Sequence, residues 1–89
     1  MTKEMFKKEF SHILKNGFAD IVYKKKDGTT RTAKGTLDVS IAGAENFNFV
    51  KEHTENNDIV KYFDIEKDAW RSFRTENIVS VNGVQYVID

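Results

Sequence analysis

The stretch Tyr23-Lys24-Lys25-Lys26-Asp27-Gly28-Thr29-Thr30-Arg31 sets four cations and one aromatic ring around a turn signal. Asp-Gly between strand-like runs predicts a β-hairpin, with strands over 18–26 and 29–41. A two-residue turn would place Lys26 opposite Thr29 and Lys24 opposite Arg31. Like charges directly opposite destabilise a sheet pair, and a visiting anion would offset that cost. The same register puts Tyr23, Lys25, Thr32 and Lys34 on one face, a ring among cations of the kind that stacks a base and holds phosphates. Arg71 and Arg74, on a later strand, extend the set, because a guanidinium grips phosphate with two parallel bonds. The candidate nucleic-acid-binding residues are therefore Tyr23, Lys24, Lys25, Lys26, Arg31, Lys34, Arg71 and Arg74. Lysines would neutralise phosphate and Tyr23 would stack. A plainer reading competes: edge strands carry lysine against sheet-to-sheet aggregation, and Tyr23 can belong to a core beneath a helix. The pI near 6.7 also departs from the strongly basic signature of many nucleic-acid domains.

Other chemistries find no residues. The chain has no cysteine, so neither a disulfide nor a thiolate nucleophile or metal site is available. The two histidines, His12 and His53, read as surface residues and cannot build a four-ligand zinc site. Asp64-x-Glu66-x-Asp68 opens like a calcium loop, but its sixth and twelfth positions are Ala69 and Thr75 where Gly and Glu belong. It reads instead as an acidic turn. No Gly-rich phosphate loop occurs. No catalytic residue, metal or cofactor is expected, and a binding module is the better reading than an enzyme.

The elements that would position the basic stretch follow from periodicity. Phe6, Phe10, Ile13 and Leu14 recur on one face of a helix over 3–15. Thr2 suits its N-cap, Lys15 its last turn and Gly17 its stop. In the second hairpin strand, Ala33, Gly35, Leu37, Val39 and Ile41 alternate with polar residues, and Gly35 suggests a bend or bulge. Residues 42–58 hold either a short helix over 44–53 or a functional loop. Beyond them, 59–65 and 70–74 read as strands joined at Glu66-Lys67-Asp68, with Phe63 and Ile65 on one face and Tyr62 pointing oppositely, toward solvent. A last pair of strands surrounds Asn82-Gly83. One helix and five or six short strands in 89 residues imply one mainly β (α+β) domain, a small barrel or sandwich.

Charge divides along the chain. Residues 1–35 carry nine basic groups against four acidic ones, net +5, and overall neutrality leaves −5 for the rest. That split suggests a basic face for a polyanion and an acidic face elsewhere. No stretch approaches the roughly 20 apolar residues of a membrane span. The charged N-terminus lacks the apolar run of a signal peptide, so a cytoplasmic location is expected.

The run Tyr62-Phe63-Asp64-Ile65-Glu66-Lys67-Asp68-Ala69-Trp70-Arg71-Ser72-Phe73-Arg74, followed by Ile78-Val79-Ser80-Val81, resembles the small WYL-like family of T-even-type bacteriophages, which has an Sm-like β-barrel. The strand from Thr32 to Leu37, with its Gly-Thr-Leu, fits as well. The resemblance spans residues 18–81. It implies a five-stranded SH3-like/Sm-like barrel over about 18–88, with an N-terminal amphipathic helix and a long loop or insertion at 42–58. It further implies a one-turn 3₁₀ connector at Thr75–Asn77. Members of that wider fold bind nucleic acid, nucleotides or protein segments, an analogy at the level of fold. Two roles follow as expectations. One is a non-enzymatic accessory regulator that binds nucleic acid, RNA or single strands first, to modulate host processes or defence. The other is a protein inhibitor of a host enzyme, docking through the acidic half or a Phe47/Phe49 loop. A homo-oligomer along an open sheet edge is a third expectation for the chain's partners.

Overall fold

The computed structural model describes residues 1–47 and 56–89. Helix α1, Lys3–Lys15, begins where Thr2 Oγ1 accepts the Met5 N–H at 3.1 Å. It buries Phe6, Phe10 and Leu14, with Ile13 partly covered. A 13-residue helix is marginal alone in water, so this apolar stripe is what holds it to the sheet. Thr36 fixes the junction. Its buried hydroxyl shares one proton between Gly17 O (2.5 Å) and Leu14 O (3.2 Å) and accepts the Asp38 N–H at 2.9 Å.

Among the described residues six antiparallel strands follow: β1 Phe18–Lys24, β2 Thr30–Thr36, β3 Ile59–Asp64, β4 Ala69–Arg74, β5 Ile78–Val81 and β6 Val84–Gln85. They form one sheet in the order β4-β3-β2-β1-β5-β6. That order forces the sheet to roll. Four strand spacings would separate β4 from β5 on a flat sheet, about 19 Å. The connector is the single 3₁₀ turn Thr75–Asn77, and such a turn rises only about 2 Å per residue. The ends of β4 and β5 can meet only if the sheet curls back on itself. Buried Thr75 locks the connector, with Oγ1 donating to Asn57 O at 2.6 Å and N to Asp58 O at 2.9 Å. The core inside the curl joins α1 to Ala19, Ile21, Tyr23, Ala33, Leu37, Val60, Tyr62, Phe73, Ile78 and Val81.

Gly35 sits where β2, still paired to β1 through Ala19↔Gly35 and Phe18↔Thr36, also meets β3 through Gly35↔Asp64 and Thr36↔Phe63. A Cβ there would lie 2.5 Å from Ile21 Cδ1 and 2.6 Å from Tyr62 Cδ2, so the close approach requires glycine.

Three sequence expectations are corrected. The strand expected over 29–41 stops at Thr36. Asp38 then caps a short helix, α2 Val39–Ala42, accepting from Ser40 N (3.0 Å) and Ser40 Oγ (2.6 Å). Val39 and Ile41 are consequently exposed. A 3₁₀ turn at Ala44–Phe47 follows. The helix expected over 44–53 otherwise lies outside the described residues, as do Phe49 and His53. The second correction is Tyr62, which is fully buried. Strand β3 is covered on both faces toward its end, at Tyr62, Phe63 and Asp64. Val60 and Tyr62 face the core, and Phe63 packs outward on Trp70 (5.6 Å, edge to face), which also meets Phe47 (5.2 Å) and donates Nε1–H to Asn46 O at 2.9 Å. The third concerns the basic hairpin. Among the described residues no helix is long and apolar enough to cross a membrane.

Candidate nucleic-acid interface

The β1–β2 turn is one residue longer than the Asp-Gly signal suggested. Gly28 N donates to Lys25 O at 3.0 Å, and Lys25 N to Thr29 O at 2.7 Å. Lys26, Asp27 and Gly28 form the loop, and Gly28 takes φ +87°, the three-residue hairpin with a glycine bulge. Asp27 Oδ1 braces it, accepting Thr29 N (2.9 Å) and Thr29 Oγ1 (2.6 Å). These bonds hold the Asp27 carboxyl below its ordinary value. By contrast Asn82-Gly83 is a true two-residue turn, with both residues at positive φ and Val81 paired to Val84.

One residue of slip exchanges the faces of a strand. Lys24 pairs with Thr30 and Tyr23 with Arg31, so no Lys24–Arg31 clash exists for an anion to relieve. Tyr23 and Lys34 fall on opposite faces. Tyr23 is buried. Its ring stacks on Phe73 at 4.4 Å, and its hydroxyl meets that of Tyr62 at 2.8 Å. Burial, then the Tyr23 hydroxyl, pushes the Tyr62 phenol above its ordinary value. Tyr23 therefore belongs to the core and is not a platform for a base. Lys34 lies opposite Asp20 and over the Phe18 ring at 5.7 Å. Arg71 is also committed elsewhere, with Nε donating to buried Asp64 Oδ2 at 2.9 Å.

The remaining five residues do converge. Lys24, Lys25, Lys26, Arg31 and Arg74 line one cleft of about 390 Å³. It opens at the end of the barrel where β1 and β4 finish and β2 and β3 begin. Tyr23 and Phe73 form its floor, and Ile59, Ser72 and Asn77 complete the wall. Among the described residues no carboxylate lines it. Among the described residues no salt bridge engages Lys24, Lys25, Lys26 or Arg31. Arg74 gives its Nε–H to Glu76 at 2.8 Å. That ion pair, with Lys3 on Asp58 (2.7 Å) and Glu76 (3.7 Å), forms a chain of alternating charge beside the opening. Sequence reasoning missed the polar wall, Ser72 and Asn77. The sequence signal for it was the outward phase of Ser72 and Arg74 in a strand whose Phe73 points inward.

Three comparisons with known proteins bear on identity. A family model described as WYL_2, Sm-like SH3 beta-barrel fold, matches residues 7–79. An "Uncharacterized 11.5 kDa protein in Gp31-cd intergenic region" of Enterobacteria phage T4 is 38% identical over 74 residues, covering 81% of this chain and 72% of that protein. No solved structure matches. The rolled sheet, the 3₁₀ connector at Thr75–Asn77 and these two matches agree: the chain belongs to the WYL-like family with an Sm-like SH3 β-barrel fold that T4-type phage carry.

Proposed function

We propose that this chain is a non-enzymatic phage accessory regulator that binds nucleic acid, RNA or single strands first, in the cytoplasm of the infected cell. One observation carries the reading: five cations line a cleft that no carboxylate lines among the described residues. Four of them are held by no salt bridge among the described residues. Converging cations in a concave site raise the local concentration of a polyanion. A cleft of about 390 Å³ beside unpaired cations suits the backbone of a splayed strand, the form in which proteins most often read RNA.

The inhibitor reading has less support. Asp58, Asp64 and Glu76 are neutralised within the chain by Lys3, Arg71 and Arg74, which leaves less acid to mimic nucleic acid. Phe47 is turned onto Trp70.

Fluorescence anisotropy with a labelled single-stranded RNA, repeated over a salt series, tests the proposal. Lys24/Lys25/Arg31→Ala is expected to weaken binding on the order of tenfold to a hundredfold and to reduce the salt slope by about two. Equal affinity of the folded triple variant and the native chain would sink the proposal.

A further inference from the structure

A second cleft, about 450 Å³, adjoins the basic one and shares Lys24 and Asn77 with it. It runs along the 3₁₀ connector toward the β5–β6 hairpin. Its chemistry differs. Among the described residues Lys24 is its only cation, and Gln85, Tyr86, Val87, Ile78 and Val79 supply amide and apolar surface. Its one carboxylate among the described residues, Glu76, is already paired with Arg74 and Lys3. The two clefts therefore form one bent groove with phosphate chemistry on one side of Lys24 and base chemistry on the other.

Resting on the nucleic-acid reading above, we propose that this groove seats consecutive nucleotides of a single-stranded RNA, with phosphates in the cationic cleft and bases read by Asn77 and Gln85. The division follows from charge. A phosphate in the second cleft would approach Glu76, whereas a base there meets carboxamides that can donate and accept at its edge. Gln85 is exposed on a two-residue strand, so its carboxamide is presented to solvent. Val87, 78% exposed, offers an apolar surface for the face of a ring. Contacts to phosphate position a strand without reading it, and contacts to base edges read it. The clefts divide those tasks between two walls that share Lys24 and Asn77.

The division is tested with labelled homopolymers of U, A and C, about eight nucleotides long, titrated at several salt concentrations. The native chain is expected to prefer one homopolymer. Asn77→Ala/Gln85→Ala is expected to collapse that preference by roughly tenfold while leaving the salt slope unchanged. Gln85→Ala alone, at an exposed position, should reduce it in the same direction and keeps the test valid if the double variant fails to fold. An undiminished preference in Gln85→Ala and the double variant, with binding still lost in Lys24/Lys25/Arg31→Ala, overturns the base-reading groove and spares the nucleic-acid reading. Absence of binding by the native chain to every homopolymer overturns both.

Discussion

Two hairpin tips carry most of the charge that drew attention in the sequence, and they treat it in opposite ways. At the β3–β4 tip, Asp64 is buried. It accepts Glu66 N at 3.1 Å and Lys67 N at 3.0 Å through Oδ1 and Arg71 through Oδ2. At the β1–β2 tip, the corresponding acid, Asp27, bonds Thr29 through both backbone and hydroxyl, and among the described residues no salt bridge reaches Lys24, Lys25 or Lys26. Both tips contain acid and base at close spacing, so composition does not separate them. Pairing does. A phosphate at Arg71 would compete with the buried carboxylate that its Nε already bonds, and leaving that partner unpaired is expensive. Lysines on an exposed turn face no such exchange. The WYL-like signature run accordingly buries its own acid at the tip and lends Ser72, Phe73 and Arg74 to the cleft, while the unpaired cations of the proposed site lie on the less distinctive Lys24-Lys25-Lys26 and Arg31.

Asp64→Ala should break this contrast with the largest effect. It removes a cap on two backbone N–H groups and strands a partly buried Arg71, for a loss of about 2–3 kcal/mol in urea unfolding with an unchanged m-value. RNA affinity of the folded fraction should stay near native, because Arg71 lies outside the cleft. A large affinity change in that variant, at full folding, would return Arg71 to the site.

The contrast also explains what the sequence could disclose. Helix α1 and its Thr2 cap were legible because both are local: a 3.6-residue apolar repeat and one side chain bonding three residues ahead. The turn at Asp27-Gly28 was legible as a turn, but its length was not. Asp-Gly suits both a two-residue turn and a three-residue loop with a glycine bulge. One residue of difference moved Tyr23 from the solvent face into the core and removed Lys34 from the set. Val39 and Ile41 continued the alternation of β2, yet Asp38 and Ser40 bond locally and start a helical turn instead, a competition decided by side-chain hydrogen bonds that alternation ignores. The burial of both Tyr62 and Phe63 required the rolled sheet and the Phe47–Trp70 cover. Those contacts join residues far apart in the chain. The five cations of the cleft were all named from sequence. Ser72 and Asn77 were not, because only the closure of the barrel brings them across from the β1–β2 tip.

A smaller effect should come from the floor of the basic cleft. Tyr62→Phe leaves the Tyr23 hydroxyl buried without its partner, at a cost of about 1–2 kcal/mol. The double variant Tyr23→Phe/Tyr62→Phe removes both hydroxyls and should recover most of that loss, since two apolar partners of the same shape are nearly neutral. A double-mutant cycle by urea unfolding reads the coupling. If the double variant is less stable than either single one, the two hydroxyls do not act as a pair.

The smallest effect concerns the exposed carboxylates near the basic cleft. Thr29 holds Asp27 below its ordinary value, Lys3 does so for Asp58, and Arg74 for Glu76, each chiefly through a side-chain hydrogen bond. A carboxyl depressed in the folded chain binds fewer protons there than in the unfolded chain, so acid favours unfolding. The stabilisation is complete above the ordinary carboxylate range, about pH 5 and higher, and is lost as pH falls through about 4 and below. Solvent screens all three groups, so the acid limb should be shallow. Urea midpoints over an acid pH series should show it. Lys3→Met should flatten the limb, because Asp58 then loses the hydrogen bond and the charge that chiefly depress it. Thr29→Val should flatten it less, because the backbone N–H of residue 29 still bonds Asp27. An acid limb equally steep in Lys3→Met and the native chain would mean that the alternating charges beside the cleft contribute nothing to stability, and that their arrangement matters only for how Arg74 is presented to a ligand.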